Sequence, residues 1–256
     1  MDLDIPRLFA LQDSHHIFET IVADLYRTVV RRGDLAVDGG ANEGFHAFPL
    51  AELVGPSGRV LAFEPIDWRA EALARAAADR GLPQLRVLAQ ALAERDGTAP
   101  FHWVRNSDGY SGLRPRAFYP FTPDVEALTV RTVALDGLLD DHRPWRFCKL
   151  DLEGGEFRAL QGAARALGRH RPVLVFENDR GPSARSYGYG AEEFFGFFDA
   201  LGYRLRDLFG RPFVREAWES PGYPHYYIGL SAGDAAAGRV KRDLPAILRR
   251  ALAAAG

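Results

Sequence analysis

A glycine-bearing turn follows a short apolar segment near the start of the chain. The apolar segment is Leu35-Ala36-Val37, and the turn runs Asp38-Gly39-Gly40-Ala41-Asn42-Glu43-Gly44. In open α/β sheets ligands bind beyond the carboxyl ends of the strands, and Gly40 and Gly44 would let the backbone pass close to one. The turn differs from the usual G-x-G-x-x-G form, and no Lys-Ser/Thr pair of a phosphate-binding loop follows it. It predicts a ligand site, although a plain connection has the same composition.

An acidic residue ends the second predicted strand. Glu64 lies about one βα unit after the turn, where a carboxylate can accept hydrogen bonds from both ribose hydroxyls of an adenosine. The alternative is a solvated surface glutamate. A nicotinamide-dependent enzyme would also have an acid here, so Glu64 indicates an adenosine ligand without deciding the chemistry.

Two further acids follow the fourth and fifth predicted strands. Asp151 ends the fourth strand, and Glu177-Asn178 ends the fifth. Two carboxylates and an amide oxygen are hard ligands that suit Mg²⁺. Such an ion would lower the pKa of a bound hydroxyl and orient it. Alternatively, Asp151 and Glu153 bind backbone amides at a helix start, and Glu177 orients a substrate without a metal.

The elements that must position these residues alternate between strands and helices. The predicted strands are Leu35–Val37, Arg59–Phe63, Leu85–Leu88, Phe147–Leu150, Val173–Phe176, Tyr203–Leu208 and Tyr226–Leu230. The predicted helices are Ile17–Val29, a segment ending near Leu53, Asp67 to just before Gly81, Glu156–Leu167 and Glu193–Leu201. This alternation predicts an α/β fold with a mostly parallel, doubly wound sheet. The last two strands have no helix between them and predict an antiparallel edge.

The alternation pauses between about residues 98 and 133. That insertion contains predicted strands at Phe101–Val104 and Leu128–Val133, with a polar loop between them. We expect the loop from Arg105 to Pro123 to cover a substrate site. Residues 1–33 form an N-terminal helical segment, in which Asp13 or Ser14 could cap the first predicted helix, and the whole chain reads as one domain.

Composition excludes several classes of protein. The chain has 256 residues, a net charge of −2 and a single cysteine, Cys148. The charge gives no general attraction to nucleic acid or an acidic membrane, and one cysteine excludes an intrachain disulfide framework. No apolar run is long enough to span a bilayer, and the first residues lack signal-peptide features. We therefore expect a cytoplasmic protein without nucleic-acid or membrane partners, and a homo-oligomer is possible.

Five short motifs together resemble the FkbM family of methyltransferases. They are VDGGANEG, AFEP, ALAERDG, KLDLEGGE and a strand ending in FEN, in matching order across residues 34–178. The resemblance implies a Rossmann-like class I methyltransferase fold, S-adenosylmethionine as methyl donor and a hydroxylated small molecule, such as a sugar or natural product, as acceptor. It implies that Asp38, Gly40, Asn42 and Gly44 contact the methionine part of the donor, Glu64 the ribose, and Gln90 and Ala91 the adenine.

The acids after strands four and five also resemble a metal-dependent O-methyltransferase pattern. By that resemblance Asp151 and Glu177 are catalytic, and Asp151, Glu177 and Asn178 would bind Mg²⁺ or another divalent cation. Those enzymes carry Lys or His three residues after the first Asp, but Gly154 occupies that position here. The usual base is therefore missing.

Several other residues are weaker candidates for a role in the site. Lys149 could pair with Glu153 or Glu177, and Cys148 and the run Phe194–Phe198 are expected to be core. The candidate bases are His15, His16, His46 and His225, although a lone histidine is more often structural. The aromatic residues that could line an acceptor pocket, or simply pack the insertion, are Trp103, Tyr110, Tyr119, Phe121 and Tyr187.

Two rival functions stay open at this point. A nicotinamide-dependent oxidoreductase would also need the turn and Glu64, although Asp38 and the KLDLEGGE motif argue against it. A non-catalytic adenosine-binding protein would retain the fold without needing Asp151 and Glu177.

Overall fold

The structure is a computed structural model that describes residues 4–116, 119–139 and 143–254, apart from the side chains of residues 13–15. Its main sheet has seven strands: β1 (Leu35–Gly39), β2 (Arg59–Phe63), β3 (Leu85–Leu88), β7 (Trp145–Leu150), β8 (Val173–Glu177), β9 (Tyr203–Asp207) and β10 (Tyr226–Ser231). The spatial order is β3-β2-β1-β7-β8-β10-β9. The first five strands in this order, β3 to β8, pair in parallel, whereas β10 is antiparallel to both β8 and β9. The predicted α/β sheet with an antiparallel C-terminal strand is confirmed.

Nine helices are described: α1 (Ile5–His15), α2 (Ile17–Val29), α3 (Ala47–Val54), α4 (Asp67–Asp79), α5 (Glu156–Gln161), α6 (Ala164–His170), α7 (Gly181–Tyr187), α8 (Ala191–Ala200) and α9 (Ala235–Ala254). They cover both faces of the sheet, so every residue of β1 is buried. Apolar residues of α2, α3 and α9 fill one core, and those of α5, α6 and α8 fill the other. Phe194 and Phe198 belong to the second core, as expected. None of the helices within the described ranges is long and apolar enough to cross a membrane.

The insertion forms a small sheet of its own. It contains β4 (Ala91–Leu92), β5 (Gly97–Val104) and β6 (Val125–Val133), with β6 in the middle. Phe101 and Val130 form a satellite core with Ile66, at the start of α4. This contact holds the insertion against the carboxyl ends of the main strands.

Two kinds of local prediction were wrong: the continuity of one helix and the caps of two others. The helix predicted from Glu156 to Leu167 is broken into α5 and α6 at Gly162, where the backbone packs so close to Ala93 that a Cβ would lie 2.1 Å from its carbonyl oxygen. The cap of α2 is His16, in a left-handed conformation, rather than Asp13 or Ser14. Asp67 is the first residue of α4 and its side chain makes no cap hydrogen bond. Helix α7 was not predicted, because its 7 residues are too few to give a clear apolar period, and α1 was not separated from α2 within the predicted N-terminal helical segment.

The sheet order places a cleft at one defined point. β1 lies between β2 and β7, so the chain leaves β1 toward one edge and later returns on its other side. Ligands bind at such a switch point, beyond the carboxyl ends of the strands. The register pairs Asp38 with Lys149 and Gly39 with Leu150, which brings the first turn next to the KLDLEGGE motif.

Candidate active site

A cleft of about 770 Å³ opens at this switch point. Its lining includes Gly40, Asn42, Glu64, Gln90 and Ala91 among the residues predicted to bind the cofactor. The lining also includes Asp151 and Glu153, together with Phe63, Ile66, Leu92, Phe101 and Leu113 as apolar wall. The structure therefore gathers five of the seven predicted cofactor residues around one cavity, and Asp38 and Gly44 lie outside its lining.

The turn after β1 requires glycine for steric reasons. Gly40 has φ +76, and a Cβ there would lie 2.0 Å from the carbonyl oxygen of Asp151. Gly44 has φ +87, and its missing Cβ leaves room for Leu73 and Phe48, so this glycine serves packing. The backbone N–H groups of Gly40 and Ala41 donate to the carbonyl oxygen of Phe63 at 3.0 and 2.9 Å. These contacts tie the turn to β2 and form one wall of the cleft.

Glu64 is buried and its carboxylate is already oriented. The backbone N–H groups of Asn42 and Ile66 donate to Glu64 Oε2 and Oε1 at 3.2 and 3.0 Å. Burial raises the pKa of this carboxyl, and those hydrogen bonds oppose the shift. Each carboxylate oxygen keeps a free lone pair, so accepting ribose hydroxyls stays a prediction that this arrangement allows.

Asp38 is buried beneath the turn, with 1% of its surface exposed. Neither carboxylate oxygen accepts a hydrogen bond from any residue that the structure describes. Burial raises the pKa of Asp38, and the Lys149 ammonium, whose Nζ lies 3.9 Å from Oδ1, opposes that shift. A buried carboxylate with so little compensation would gain from a cationic ligand.

Three carboxylates meet where β7 and β8 end. Single oxygens of Asp151, Glu153 and Glu177 lie within 4.8 Å of one another. We call Asp151, Glu153 and Glu177 the carboxylate cluster. Withdrawal from solvent raises the pKa of both Glu153 and Glu177 well above the usual range, and the charge of Asp151 adds to this. Burial acts in the same direction on Asp151, but Lys149 and hydrogen bonds from Glu177 and Tyr226 outweigh it and lower that pKa.

Of the predicted cation-binding set, Asp151 and Glu177 lie in the carboxylate cluster, whereas the Asn178 amide is hydrogen-bonded within the loop after β8. Asn178 Nδ2 donates to the Tyr189 hydroxyl at 2.8 Å, and Asn178 Oδ1 accepts from the Arg180 backbone at 2.7 Å. Both ends of this buried amide are therefore used in shaping the loop after β8. Glu153 takes the third position in the cluster, because the loop after β7 turns back over the strand ends.

A pairing of Lys149 with Glu153 or Glu177 was expected, but the structure pairs this lysine with other carboxylates. Its Nζ lies 3.4 Å from Asp151 Oδ2 and 3.9 Å from Asp38 Oδ1. Burial lowers the pKa of Lys149, but the carboxylates of Asp151 and Asp38 raise it by more. The net pKa is raised, so the ammonium stays charged. This lysine links the turn after β1 to the carboxylate cluster.

Glu156 shapes the loop that carries Glu153. Its Oε1 accepts hydrogen bonds from the backbone N–H groups of Leu152 at 2.6 Å and Gly154 at 3.1 Å. Glu156 is wholly buried, and burial raises its pKa to about 8. The backbone-binding role considered for Asp151 and Glu153 thus belongs to Glu156.

Backbone strain concentrates around the site. Asn42, Glu153 and Arg180 have φ values of 43°, 55° and 57°, although none is glycine. They follow β1, β7 and β8 respectively. Such conformations cost roughly 1–3 kcal/mol each and persist where surrounding structure enforces them, often at functional sites.

The insertion is fastened over the site at two places. Asp108 forms an ion pair with Arg69 of α4 and accepts a hydrogen bond from Trp103 Nε1 at 2.7 Å. Arg116 pairs with Glu153 and, at 2.9 Å, with Asp179. The first contact lies at the cofactor side of the cleft and the second at the carboxylate cluster.

A second cavity lies beyond the Arg116 contact, on the other side of Glu153. It is lined by Pro115, Arg116, Glu153 and Asp179 and by residues of α7, including Tyr187. Glu153 therefore borders both cavities. Of the predicted aromatic pocket residues, only Tyr187 is in its lining, whereas Tyr110, Tyr119 and Phe121 pack on one another within the insertion.

The predicted histidines have different surroundings. His46 is buried, and its Nε2 lies 2.5 Å from Glu19 Oε2. His225 Nε2 is 4.0 Å from Glu177 Oε1, and burial lowers the pKa of its imidazole. His16 is exposed at the start of α2, and the side chain of His15 lies outside the described residues. Only His46 and His225 are near the site.

Tyr226 and Glu19 are among the residues near the site that the sequence did not single out. The Tyr226 hydroxyl donates to Asp151 Oδ2 at 2.8 Å and lies 3.1 Å from Glu19 Oε1. Glu19 interrupts the apolar face of α2, which is the one signal the sequence offered. Tyr226 stands in a uniformly buried strand, so its pattern is that of core.

Comparisons with known proteins find methyltransferases among the solved structures. No curated protein matches the sequence significantly. An FkbM methyltransferase structure from Methylobacillus flagellatus has 18% identity and a TM-score of 0.45; the match covers 81% of this chain but only 50% of that one. A putative rRNA methylase from Clostridium thermocellum has 13% identity, a TM-score of 0.49, and coverage of 84% and 95%. An O-methyltransferase from Streptomyces achromogenes, involved in tomaymycin synthesis, has 15% identity, a TM-score of 0.43, and coverage of 85% and 80%.

The family assignment comes from the sequence itself. The model of the methyltransferase FkbM domain matches residues 38–205, well over half of the chain. The matched region begins at Asp38 and contains Glu64, the insertion and the carboxylate cluster. The chain belongs to the FkbM family of methyltransferases.

Proposed function

We propose that the protein transfers a methyl group from S-adenosylmethionine to a hydroxyl oxygen of a small molecule, with a divalent cation at the carboxylate cluster. The observation that carries this proposal is the position of the cluster. Glu153 borders both cavities, Asp151 lines the cofactor cleft, and Glu177 lies within 4.8 Å of both residues, so a donor in one cavity and an acceptor in the other would meet beside the cluster.

The cleft suits a cationic adenosine ligand. Phe63, Ile66 and Leu92 provide an apolar wall near Gln90 and Ala91, and Glu64 faces the middle of the cavity. Asp38 accepts no hydrogen bond from the described residues, and its ion pair with Lys149 is 3.9 Å long, which favours the charged methionine end of the donor beneath the turn. Arg69, a cation in the lining that the structure describes, is already paired with Asp108 and so is not free for a pyrophosphate. These features favour S-adenosylmethionine over a nicotinamide dinucleotide.

The carboxylate cluster fits a hard divalent cation. Three carboxylate oxygens within 4.8 Å of one another repel each other, as the raised pKa values of Glu153 and Glu177 indicate. Mg²⁺ and Mn²⁺ prefer such oxygen ligands. Bound there, the ion would supply acidification and orientation of the acceptor hydroxyl, which Gly154 cannot provide as a base.

The chain's own residues align the transfer. The acceptor oxygen forms a bond to the methyl carbon as the carbon–sulfur bond breaks, and the hydroxyl proton leaves to a carboxylate of the cluster. Asp151 and Glu177 orient the acceptor, and the loop carrying Asp108 and Arg116 covers the reacting atoms from water. The acceptor would enter through the cavity beside Tyr187, whose lining combines proline, serine and tyrosine with the charged residues Arg116, Glu153, Asp179 and Arg185 and so offers both an apolar surface and hydrogen-bonding groups for a hydroxylated ring.

The first test is calorimetry with S-adenosylmethionine, followed by a methyl-transfer screen over phenols, catechols, monosaccharides and polyols. We expect transfer to oxygen in at least one class, loss of transfer with chelator, and restoration by Mg²⁺ or Mn²⁺. Asp151→Asn and Glu177→Gln should each reduce the rate by at least about 100-fold, while Glu52→Gln, an exposed change on α3, should not.

Contrary results would separate the parts of the proposal. Absence of cofactor binding at millimolar concentration would refute the methyltransferase function of the cleft. Transfer to nitrogen or carbon alone would refute the acceptor class. Full activity in excess chelator would refute the cation and leave a carboxylate or His225 as the base.

A further inference from the structure

Part of the support of Asp151 comes from outside the family domain. The family match spans residues 38–205, but Glu19 lies on α2 before it and Tyr226 lies on β10 after it. Both side chains reach the carboxyl end of β7, because α2 packs over the sheet and β10 lies next to β8. The two ends of the chain therefore meet at one carboxylate of the cluster.

The contacts form a continuous chain. The Tyr226 hydroxyl lies 2.8 Å from Asp151 Oδ2 and 3.1 Å from Glu19 Oε1. Glu19 Oε2 lies 2.5 Å from His46 Nε2, and His46 is buried at the start of α3. The hydroxyl has one hydrogen and two acceptors: it donates to the nearer Asp151 Oδ2, and Glu19 Oε1 is its alternative acceptor. Each member has its partner at hydrogen-bond distance.

The hydrogen-bonded series reaches Asp151 through Oδ2. Lys149 Nζ lies 3.4 Å from the same oxygen, so the contacts from Tyr226 and Lys149 both fall on that atom. A carboxylate held through one oxygen cannot rotate freely, and its other oxygen is left for the cluster. We propose that Tyr226 and Glu19 are positioning residues that fix the orientation of the Asp151 carboxylate for the reaction. This inference rests on the proposed function.

The neighbouring tyrosine shows that packing does not demand such a bond. Tyr227 is also buried on β10, and its hydroxyl has no hydrogen-bond partner among the residues that the structure describes. Glu19 is likewise unusual, because the flanking residues Phe18, Ile21 and Val22 of α2 are core. A carboxylate among apolar neighbours costs free energy unless it is partnered, and here both oxygens are.

The test compares two single-atom deletions on one strand. Tyr226→Phe should lower kcat by about 10- to 100-fold, the range for partners that orient active-site ligands. KM and Kd for S-adenosylmethionine should stay within about threefold, because the cofactor cleft is untouched. Tyr227→Phe is the matched control and should leave kcat unchanged. Rates are measured with the best acceptor from the screen above.

A second pair separates positioning from packing at Glu19. Glu19→Gln keeps an oxygen for Tyr226 and a polar group for His46, so its kcat should stay near that of the wild type. Glu19→Ala loses both contacts and should resemble Tyr226→Phe. A merely structural role would instead lower the midpoint of thermal unfolding of both Glu19 variants without separating their kcat values.

A crystal structure of Tyr226→Phe gives a readout that needs no acceptor. We expect the Asp151 carboxylate to rotate away from its wild-type orientation. An unchanged orientation, or equal kcat values for Tyr226→Phe and Tyr227→Phe, would overturn the inference. A wild-type protein that binds no S-adenosylmethionine would overturn the proposed function instead, so the two failures are distinguishable.

Discussion

Replacing Glu156 by glutamine tests the most buried acid of the KLDLEGGE motif. Glu156 has no exposed surface, and its Oε1 accepts from the backbone of Leu152 and Gly154. Its Oε2 has no partner within the described ranges of the chain. Glutamine can keep both accepted hydrogen bonds but cannot ionise. The substitution therefore removes a titration while leaving the loop geometry in place.

The size of the effect follows from the pKa. Burial raises the pKa of Glu156 from 4.5 to about 8. The folded protein therefore holds a proton that the unfolded chain releases above pH 4.5. The contribution of Glu156 to stability is greatest below pH 4.5, falls as pH rises toward 8, and is level above 8. At about 1.4 kcal/mol per pH unit, the loss is about 3 kcal/mol at pH 6.5 and at most about 5 kcal/mol above pH 8.

Glu156→Gln should abolish this dependence. Its free energy of unfolding should match that of the wild type near pH 4.5 and exceed it by about 2–3 kcal/mol at pH 6.5. For a protein of this size the difference corresponds to about 5–10 °C in the midpoint of thermal unfolding. Urea unfolding at pH 5, 6.5 and 8.5 measures it, with Glu52→Gln as the exposed control. A stability difference that is the same at all three pH values would refute the reasoning.

Three further predictions concern the site. Asp38→Ala should weaken S-adenosylmethionine binding by at least about tenfold, or about 1.4 kcal/mol, and more than Glu64→Ala does; comparable losses in calorimetry would contradict the roles assigned to these acids. Arg116→Ala removes the contacts to Glu153 and Asp179, so backbone amides between residues 105 and 116 should exchange hydrogen faster, whereas Arg105→Ala, which breaks pairs only within the insertion, should leave exchange at the Arg116 end unchanged. Gly154→Ala should lower the free energy of unfolding by about 1–3 kcal/mol, because Gly154 has φ +101 and its Cβ would lie 3.1 Å from Tyr187; unchanged urea unfolding would show that the loop can relax.

Local patterns were sufficient to predict the sheet and the cofactor cleft. Apolar runs such as Leu35–Val37 and Val173–Phe176 are strands in the structure, because a strand buried on both faces needs a continuous apolar sequence. Gly40, Glu64 and Gln90 follow strands directly, so predicting the strands also placed these residues at one edge of the sheet. The family domain could be identified for the same reason, since its motifs are strand ends.

Contacts between distant segments were decided only by the tertiary structure. Glu153 joins Asp151 and Glu177 in the carboxylate cluster because Glu156 binds the backbone of the loop after β7 and turns it back over the strands. Arg116, Glu19 and Tyr226 reach the site from the insertion, the first helices and the last strand, and no sequence period reports such meetings. Spacing along the chain determines which face of an element a residue occupies, but the partner of a side chain depends on how the elements pack.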